Sequence, residues 1–453
     1  MKFINRHDEL KALRERLDSD KFELIIIYGR RRIGKTRLIL EAVKGRKYIY
    51  YLAVETDNLR RFKENAARSV PEVKYAADDW EAVLHFLKNR IIIIDEFPNL
   101  IHEDKAVTSL LQKIVDENLL PTKTKLVLLG SSISMMTSRV LSYKSPLYGR
   151  KTASLKLKPL RFTDLKDFFP KASWREIVEI YGFADGIPYY LENIKLPFWE
   201  WLNSELKRPD SFIKYEADFL LKYEFEEVST YKRILEALAF GKTRLGEIRD
   251  YVRTVKGDIT SYLRNLIETG FIVREVPVTE GPLSKRGRYY IKDNFLRFWF
   301  RFIYPNLSVI EEGIYQASEI KEEYDEYLGP VFEKVARELI VRLIKTNKLP
   351  LSPNKIGKWW YKDTEIDLVA LDTRTSTILF LEAKWSKIKR RDTYRLLTSL
   401  EKKAKQVKWR LDKRKEYYAL VAREIEEKEN LRKELGNNIL LYDLNDIEPS
   451  QAK

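Results

Sequence analysis

The segment Glu23–Val43 constrains the fold of this chain more than any other part of the sequence. A β-branched run, ELIIIY, leads into the turn GRRRIGKT, and a segment with helical spacing of apolar residues follows. The turn, Gly29 to Thr36, fits the pattern GxxxxGK[ST], and it stands between a predicted strand and a predicted helix. That context is the one in which such a turn binds phosphate groups.

The residues of this turn explain its chemistry. Glycines let backbone N–H groups curl around phosphates, and the amino end of the following helix adds the positive end of its dipole. We expect Lys35 to contact the β- and γ-phosphates of ATP and Thr36 to bind Mg²⁺. The other predicted nucleotide-binding positions of the loop are Gly29, Arg30, Arg31, Arg32, Ile33 and Gly34.

Two further apolar runs end in polar side chains. The run RIIIIDEF ends in Asp95 and Glu96, and it suits a central parallel strand, whose carboxyl end is where ligands bind in open α/β sheets. Asp95 is predicted to hold Mg²⁺ through water and Glu96 to polarise an attacking water, so hydrolysis is expected as well as binding. The run KLVLLGSSISMM ends in Ser131 and Ser132, where a sensor of the γ-phosphate would stand, although serine after a strand is also ordinary turn chemistry.

Taken in order, FINRHDEL, GRRRIGKT, IIIIDEF, LLGSSISMM, SPLYGR and GFADGIPYYL resemble the archaeal ATPase family related to AAA+ and STAND ATPases. The resemblance implies that Asn5 and Arg6 lie near the adenine. It also implies that Arg150 acts as an arginine finger or sensor, either within the chain or across an interface. Gly186 to Pro188 would belong to a small helical lid that contacts the nucleotide.

The middle of the chain has a different pattern. Residues 229–243, 244–254 and 257–271 have apolar positions three and four apart, which predicts three short amphipathic helices. Residues 271–278 and 286–293 then read as two strands around a basic tip. Three helices followed by a hairpin predict a winged helix.

A winged helix has two uses, and both remain open here. As a DNA reader it would place its third helix in a major groove and its hairpin tip on phosphates. Next to an ATPase it would instead serve as a packing or regulatory module. The residues assigned to DNA contact are Thr260, Ser261, Arg264 and Asn265 of the helix and Lys285, Arg286 and Arg288 of the hairpin. The aromatic segment NFLRFWFRFIYPNL that follows is expected to be buried between domains.

The strand ILFLEAKW near the carboxyl terminus carries Glu382 and Lys384 on one face, because side chains alternate along a strand. The preceding run EIDLVA carries Glu365 and Asp367 in the same way, and a short turn separates the two runs. If they form a hairpin, Asp367 and Glu382 converge. Two carboxylates bind a hard cation such as Mg²⁺, and an adjacent lysine can orient an attacking water, which predicts metal-assisted phosphodiester hydrolysis.

This arrangement resembles the PD-(D/E)xK nuclease superfamily, which is common behind archaeal ATPases of this kind. The resemblance implies an α-β-β-β-α-β core, with Asp367, Glu382 and Lys384 as the catalytic set. Glu333 of the preceding helix would be a further metal ligand. The proline of the superfamily name is Ile366 here. Three interpretations stay open: an active nuclease, a nuclease fold that only holds DNA, and a half-solvated strand without chemistry.

Charge and composition bound the partners. The chain has 84 Lys and Arg against 68 Asp and Glu, and the segment Lys384–Lys415 alone holds fourteen basic residues against three acidic ones. Such a segment predicts a nucleic-acid partner, although a solvated helix face in a charge-rich chain is equally compatible. The absence of cysteine excludes disulfides and thiolate metal sites. No apolar run reaches the roughly 18 residues that cross a bilayer, so we expect a cytosolic protein without a membrane partner.

The sequence therefore predicts an α/β protein with four domains. These are a P-loop ATPase core over residues 1–160, a helical lid over 161–224, a winged helix over 225–304 and a nuclease-like domain over 305–453. The predicted function is an ATP-hydrolysing switch, with ATP and Mg²⁺ as cofactors, that controls a DNA-binding or DNA-cleaving domain. A non-cutting regulator of DNA or protein binding and a nucleotide-gated scaffold are the alternatives, and the oligomeric state is open.

Overall fold

The computed structural model describes residues 3–253 and 258–447. These residues divide into two compact units, and the first contains the chain up to Pro159 together with the segments Ile187–Tyr190 and Tyr223–Glu226. The second unit contains the remaining residues. The predicted domain boundaries within the second unit stay predictions.

The first unit is built on a five-stranded parallel sheet in the order β2-β3-β4-β1-β5. Its strands are β1 (Glu23–Tyr28), β2 (Tyr48–Leu52), β3 (Ile91–Asp95), β4 (Lys125–Gly130) and β5 (Ala153–Lys156). The three central strands are buried almost throughout, because helices cover both faces and leave no polar side of the sheet. The edge strands are more open: in β2 two buried residues are flanked by more exposed ones, and in β5 half-buried and exposed residues alternate. The predicted α/β fold with a parallel sheet is confirmed.

Helices lie against both faces of this sheet, and two separate apolar clusters form the core there. The helices are α1 (His7–Leu17), α2 (Lys35–Ala42), α3 (Asn58–Ala67), α4 (Trp80–Phe86), α5 (Pro98–Glu103), α6 (Val107–Ile114) and α7 (Ile133–Met135). The last two continue as π-helical turns over Val115–Leu119 and Met136–Val140. A short 3₁₀ helix covers Pro71–Tyr75.

The second unit contains a mixed five-stranded sheet in the order β12-β11-β10-β9-β8 and a separate two-stranded sheet, β6-β7. The strands are β6 (Ile272–Glu275), β7 (Arg288–Ile291), β8 (Lys355–Tyr361), β9 (Thr364–Asp372), β10 (Thr377–Ile388), β11 (Lys415–Ile425) and β12 (Ile439–Tyr442). Strands β8, β9 and β10 form an antiparallel meander, while β11 and β12 add in parallel to β10. The predicted hairpin of the two carboxylate-bearing strands is confirmed.

The helices after residue 160 are α8 (Leu165–Phe168), α9 (Trp174–Ala184), α10 (Pro188–Asn193), α11 (Phe198–Lys207), α12 (Phe212–Glu224), α13 (Ser229–Ala239), α14 (Leu245–Val252), α15 (Ile259–Glu268), α16 (Asn294–Phe298), α17 (Leu307–Glu311), α18 (Ala317–Lys345), α19 (Arg390–Ala404) and α20 (Lys428–Glu434). Short 3₁₀ helices cover Phe162–Asp164, Tyr304–Asn306 and Leu444–Asp446, and a π-helical turn covers Trp299–Ile303. None of the helices in the described part of the chain has the length and apolar content to cross a membrane.

Three helices and a hairpin, α13–α15 with β6 and β7, lie where the sequence predicts them. The predicted end of the second helix at Thr254 and the predicted start of the third at Gly257 lie outside the described residues. Further along, the order α18-β8-β9-β10-α19-β11 agrees with the expected α-β-β-β-α-β succession.

Most of the aromatic segment over residues 294–307 is buried inside the second unit, which agrees with the predicted burial, while its expected place between two domains stays a prediction. The Phe298 ring meets the Phe183 ring of α9 edge to face, with the ring centroids 4.9 Å apart. On α18, Tyr327 OH donates hydrogen bonds to the backbone oxygens of Gly182 and Asn294, at 2.8 and 3.1 Å. These contacts join α9, α16 and α18 into one apolar core with satisfied polar tips.

Candidate functional site

The loop Gly29–Thr36 has a backbone that its two glycines make possible. Gly29 has φ 153°, and a Cβ there would lie 2.7 Å from the backbone oxygen of Leu157. Gly34 has φ 89°, in the left-handed region, directly before α2 begins at Lys35. A side chain at either position would strain the loop. The backbone conformation therefore explains why Gly29 and Gly34 are both glycines.

Lys35 is enclosed by its own loop. Its Nζ donates hydrogen bonds to the backbone oxygens of Gly29 at 2.8 Å and Arg30 at 3.1 Å, and the residue is 5% exposed. Burial lowers the pKa of Lys35 to about 8, and the nearby negative charges, including Glu96 and Glu224, oppose that shift. The ammonium therefore lies in the cradle where the sequence places phosphate groups.

Thr36 and Asp95 meet at the carboxyl ends of the strands. Thr36 Oγ1 donates to Asp95 Oδ2 at 2.5 Å, and Tyr50 OH donates to the same oxygen at 2.9 Å. Asp95 is only 3% exposed, so the two hydroxyls compensate for the burial of its charge. The pair offers hard oxygen donors of the kind that bind Mg²⁺. Tyr50 was not predicted, because nothing in a strand sequence marks which tyrosine faces a carboxylate.

Glu96 follows directly after β3 with φ 52°, an uncommon value for a residue with a side chain. Its carboxylate accepts hydrogen bonds from Ser131 Oγ, from Ser131 N at 3.2 Å and from Tyr223 OH at 3.3 Å. Ser131 thus contacts the residue predicted to polarise water, at the position predicted for a sensor. Burial raises the pKa of Tyr223 to about 12, so this hydroxyl stays a donor.

Three arginines of the loop each meet a tyrosine. The Arg31 guanidinium lies 3.7 Å from the centre of the Tyr223 ring, and that of Arg32 lies 3.9 Å from the Tyr189 ring. Arg30 Nη2 donates to Tyr190 OH at 3.4 Å. The tyrosines come from the segments Ile187–Tyr190 and Tyr223–Glu226, which belong to the same unit as the loop. Two cation–π contacts and one hydrogen bond thus hold the three arginine side chains against these tyrosines.

Arg6 and Pro188 border the same loop. Arg6 Nη2 donates to the backbone oxygens of Ile33 at 3.2 Å and Lys158 at 2.8 Å, and Asn5 Oδ1 accepts from the Arg6 backbone N–H at 2.7 Å. Pro188 Cγ lies 4.0 Å from the position that a Cβ would take on Gly34. The structure therefore brings Asn5, Arg6 and Pro188 to the predicted nucleotide site.

Arg150 is not brought to the loop of its own chain. It pairs with Asp116 through Nε at 3.0 Å and Nη2 at 2.8 Å. It precedes β5, whose Ala153 is aligned with Ile25 near the amino end of β1, whereas the phosphate-binding loop follows the carboxyl end. Because parallel strands share one direction, Arg150 lies at the amino-terminal ends of the strands, opposite the ends that carry the loop.

The second cluster of predicted residues lies in the other unit, on β9 and β10. Leu381 is paired with Leu368, so Glu382 faces Asp367 one step further along the same antiparallel register. The backbone N–H of Ala383 donates to Asp367 Oδ2 at 2.8 Å. Burial, followed by the charges of Glu333 and Glu382, raises the pKa of Asp367 to about 7. The predicted convergence of Asp367 and Glu382 is confirmed.

Lysines neutralise the carboxylates around Asp367. Lys384 Nζ donates to Glu382 Oε1 at 2.8 Å, and Lys403 Nζ donates to Glu382 Oε2 at 2.9 Å. Glu333 forms an ion pair with Lys358. Within residues 3–253 and 258–447, no three or more His, Asp or Glu side chains are grouped closely enough to hold a metal ion. The three carboxylates predicted to bind metal are thus not grouped as a metal site in this arrangement, and Glu333 and Glu382 each contact a lysine.

A cavity of about 880 Å³ opens on this cluster within the second unit. Its walls include Glu333, Asp367 and Glu382, and also Tyr290 and Arg288 of the hairpin. A ligand can therefore reach the carboxylates through this cavity.

Two of the three basic hairpin residues assigned to DNA contact form ion pairs within the chain, while Lys285 and Arg286 are exposed. Arg288 Nη1 lies 2.6 Å from Glu365 Oε2, and its side chain is 12% exposed. Arg286 pairs with Glu280, and its backbone oxygen accepts from Trp360 Nε1 at 3.0 Å. Arg286 and Arg288 thus already pair with acidic residues of the chain, and their contact with phosphates stays a prediction. In α15, Asn265 donates to Tyr231 OH at 2.8 Å, an internal contact.

Part of the basic segment Lys384–Lys415 is also neutralised. Ion pairs within the chain involve Lys384, Lys387, Arg390, Arg395, Lys403 and Arg414. Lys402 and Lys405 on and beside α19 are exposed. The charge available to a partner is thus smaller than the sequence count.

Sequence reasoning missed the side chains that come from distant segments. These are Tyr189, Tyr190, Tyr223 and Glu224 at the phosphate-binding loop, and Lys358 and Lys403 at the carboxylates. Two signals were available: Tyr189 and Tyr190 lie in the segment GFADGIPYYL, and Lys403 lies in the basic helix that follows β10.

Comparison with known proteins finds a family match in each half of the chain. Residues 3–194 match an ATPase domain found predominantly in archaea, and residues 299–396 match a family of archaeal and bacterial proteins of unknown function. An uncharacterized ATP-binding protein of Methanocaldococcus jannaschii, MJ0423, is 47% identical over 45 residues, covering 10% of this chain and 76% of that protein. The Walker-type ATPase Paby2304 of Pyrococcus abyssi is 22% identical, with a TM-score of 0.52, covering 66% of this chain and 96% of that one. This likeness shows a shared fold.

A second protein of Methanocaldococcus jannaschii, the uncharacterized MJECL04, is 59% identical over 445 residues, which are 98% of this chain and 100% of that protein. The match extends across the ATPase domain and the carboxyl-terminal region alike. The chain belongs to the family of MJECL04, and its amino-terminal part is an archaeal P-loop ATPase domain.

Proposed function

We propose that this protein is an ATP-hydrolysing switch whose nucleotide state controls a DNA-binding or DNA-cleaving carboxyl-terminal domain. The observation that carries the ATPase part is the convergence of Lys35, Thr36, Asp95 and Glu96 at one edge of the parallel sheet. An ATPase domain match over residues 3–194 supports it.

Each of these residues has a part in hydrolysis. Lys35 binds the β- and γ-phosphates, while Thr36 and Asp95 would hold Mg²⁺, which supplies charge neutralisation when bound. Glu96 orients a water and accepts its proton as the water oxygen bonds to the γ-phosphorus. The bond to the bridging oxygen breaks, and ADP leaves with that oxygen and its electron pair. Ser131, which bonds Glu96, keeps the carboxylate at the reacting edge.

The test is ATP turnover in purified full-length chain. Glu96→Gln is expected to lower kcat by roughly 10²-fold or more while nucleotide binding persists. Lys35→Ala is expected to weaken binding of ATP itself. The matched control is Lys44→Ala, a largely exposed lysine just beyond α2. Turnover unchanged in both site variants would reject the assignment.

The second part of the proposal concerns the carboxylates of β9 and β10. The facing pair Asp367 and Glu382, with Lys384 at 2.8 Å from Glu382, supports metal-dependent hydrolysis of a phosphodiester. Asp367 and Glu382 would hold the metal ion, which supplies Lewis acidity when bound. Lys384 orients the attacking water. The cavity bordered by Asp367 and Glu382 would give the phosphodiester a route to these two carboxylates.

Nicking of supercoiled plasmid with Mg²⁺ or Mn²⁺ tests this part. Cleavage is expected in the unaltered chain and loss of cleavage in Asp367→Asn and Glu382→Gln. Glu424→Gln on the neighbouring strand β11 is the control, because Glu424 is half exposed and pairs only with Lys387 among the described ion pairs. Equal cleavage by all variants would point to a contaminating nuclease.

The alternative is a regulator with a nuclease-like fold that binds DNA, or a protein, without cutting. The lysine contacts of Glu333 and Glu382 favour it, since they occupy the carboxylates. This alternative predicts nucleotide-dependent binding and no metal-dependent products. A scaffold without nucleic acid predicts no salt-sensitive DNA affinity.

A further inference from the structure

Two neighbouring serines after β4 hold two different carboxylates. Ser131 bonds Glu96, as described above. Ser132 Oγ donates to Glu224 Oε2 at 3.1 Å, and Ser134 Oγ donates to the same oxygen at 2.9 Å. Both carboxylates thus lie at the edge of the sheet where the γ-phosphate is proposed to bind.

Glu224 belongs to the segment Tyr223–Glu226, which is part of the ATPase unit although it lies more than 60 residues after Pro159. The charge of Glu224 acts on the ammonium of Lys35 and on the guanidinium of Arg31. Glu224 thus accepts hydrogen bonds from serine hydroxyls and interacts electrostatically with two cations of the loop. Hydroxyl donors and cations are also the groups that a terminal phosphate requires.

Tyr223, the preceding residue, acts on the other carboxylate. Its hydroxyl donates to Glu96 at 3.3 Å, and its ring lies under Arg31. Tyr223 OH and the Ser131 backbone N–H donate to Glu96 Oε2 while Ser131 Oγ donates to Oε1, so Glu96 has fewer lone pairs left for a water. One short segment therefore contacts the loop, the catalytic glutamate and the serines after β4.

We propose that Glu224 stands in for the γ-phosphate of ATP, and that Glu224 and Tyr223 are positioning residues that make the site distinguish ATP from ADP. The inference rests on the proposed ATPase function. ATP brings a third phosphate whose negative charge competes with Glu224 for the hydroxyls and cations, whereas ADP lacks that group. Binding of ATP thereby displaces Glu224, and the movement of the segment withdraws Tyr223 from Glu96.

The experiment measures the dissociation constants of ADP and of adenylyl imidodiphosphate, an ATP analogue that is not hydrolysed, by isothermal titration calorimetry with Mg²⁺. In Glu224→Gln, the analogue is expected to bind on the order of tenfold more tightly while the affinity for ADP is unchanged. The amide keeps the size of the carboxylate and removes its charge. Glu226→Gln, an exposed residue of the same segment, is the control and is expected to change neither constant.

Two further variants keep the inference falsifiable if Glu224→Gln misfolds. Ser134→Ala removes one donor to Glu224 and is expected to tighten binding of the analogue by a smaller factor than Glu224→Gln does, again with the affinity for ADP unchanged. Tyr223→Phe keeps the ring under Arg31 and removes a hydrogen bond to Glu96 that ATP binding must break, so the analogue is expected to bind several-fold more tightly while the affinity for ADP is unchanged.

Equal shifts for ADP and the analogue, or a matching shift in Glu226→Gln, would overturn the inference and leave the ATPase proposal standing. Failure of the unaltered chain to bind either nucleotide would reject the ATPase proposal, and the inference with it. A Lys35→Ala variant that binds both nucleotides normally would have the same meaning.

Discussion

Tyr50 donates a hydrogen bond to the Asp95 oxygen that also accepts the hydroxyl of Thr36. Asp95 is almost fully buried, and these donors compensate for the loss of hydrogen bonds to water. The shared oxygen links an edge strand, a central strand and the first turn of α2 at the proposed Mg²⁺ position.

Replacing Tyr50 by phenylalanine tests how much this donor contributes. Tyr50→Phe removes the hydroxyl and leaves a buried charge with fewer donors, so a loss of roughly 1.5–3 kcal/mol in the free energy of unfolding is expected. The measurement is the midpoint of urea-induced unfolding. Tyr48→Phe on the same strand, where the ring is 38% exposed, should change it little. Equal midpoints for the two variants would show that the Tyr50 hydroxyl is energetically neutral.

Glu338 makes stability depend on pH. It accepts hydrogen bonds from Phe162 N at 2.9 Å and Tyr181 OH at 3.4 Å, and burial raises its pKa from 4.5 to about 7. The folded state therefore keeps its proton over a range where the unfolded state has lost it. Stability is expected to fall as the pH rises from about 4.5 to 7, and to level off above.

Glu338→Gln removes this dependence. The variant should gain roughly 1–3 kcal/mol over the unaltered chain at pH 8 and almost nothing at pH 4. Thermal unfolding midpoints across this pH range provide the measurement. Glu326→Gln, an exposed glutamate of the same helix, is the control. Parallel pH profiles for the Glu338→Gln variant and the unaltered chain would contradict the prediction.

Lys358 sets the charge of the carboxylate cluster. It pairs with Glu333, so Lys358→Met leaves Glu333 available and makes the cluster more negative by one charge. A several-fold lower dissociation constant for Mn²⁺ is expected, measured by electron paramagnetic resonance of free Mn²⁺. Lys362→Met, in the exposed turn between β8 and β9, controls for the loss of a lysine. If both variants bind Mn²⁺ alike, Glu333 has no part in a metal site.

The basic segment after β10 should bind DNA through its exposed lysines. Removing Lys402 and Lys405 together is expected to weaken binding of a labelled duplex and to reduce the dependence of log K on log salt by about 1 for each phosphate that is no longer neutralised. Arg288→Gln should leave this slope unchanged, because Glu365 already pairs with Arg288. Fluorescence anisotropy over a KCl series distinguishes the two. If Arg288→Gln reduced the slope instead, the result would indicate that the hairpin contacts DNA.

The local parts of both sites could be predicted from the sequence. The loop Gly29–Thr36 is contiguous, and its strand and helix flanks are visible as periodicity. The pairing of Asp367 with Glu382 followed from a short turn between two alternating runs, since a hairpin fixes register.

The remaining contacts depend on tertiary structure that no local pattern encodes. Tyr223 and Glu224 reach the loop from almost 190 residues further along the chain, at the end of a helix with no motif of its own. Counting charges also overstated the basic segment, because Lys403 and Arg390 are neutralised by Glu382 and Glu434 respectively. Which charges pair depends on packing, and packing depends on the whole fold.

Glu333 and Glu338 lie on the same helix, α18, five residues apart. At 3.6 residues per turn they point in directions that differ by roughly 140° and lie about 7.5 Å apart along the axis. Glu333 engages Lys358, while Glu338 accepts hydrogen bonds from Phe162 and Tyr181. A rotation of α18 about its axis therefore displaces both carboxylates at once and in nearly opposite directions. Because one helix carries both half-buried acids, a ligand that fixes the orientation of one of them would also limit the freedom of the other.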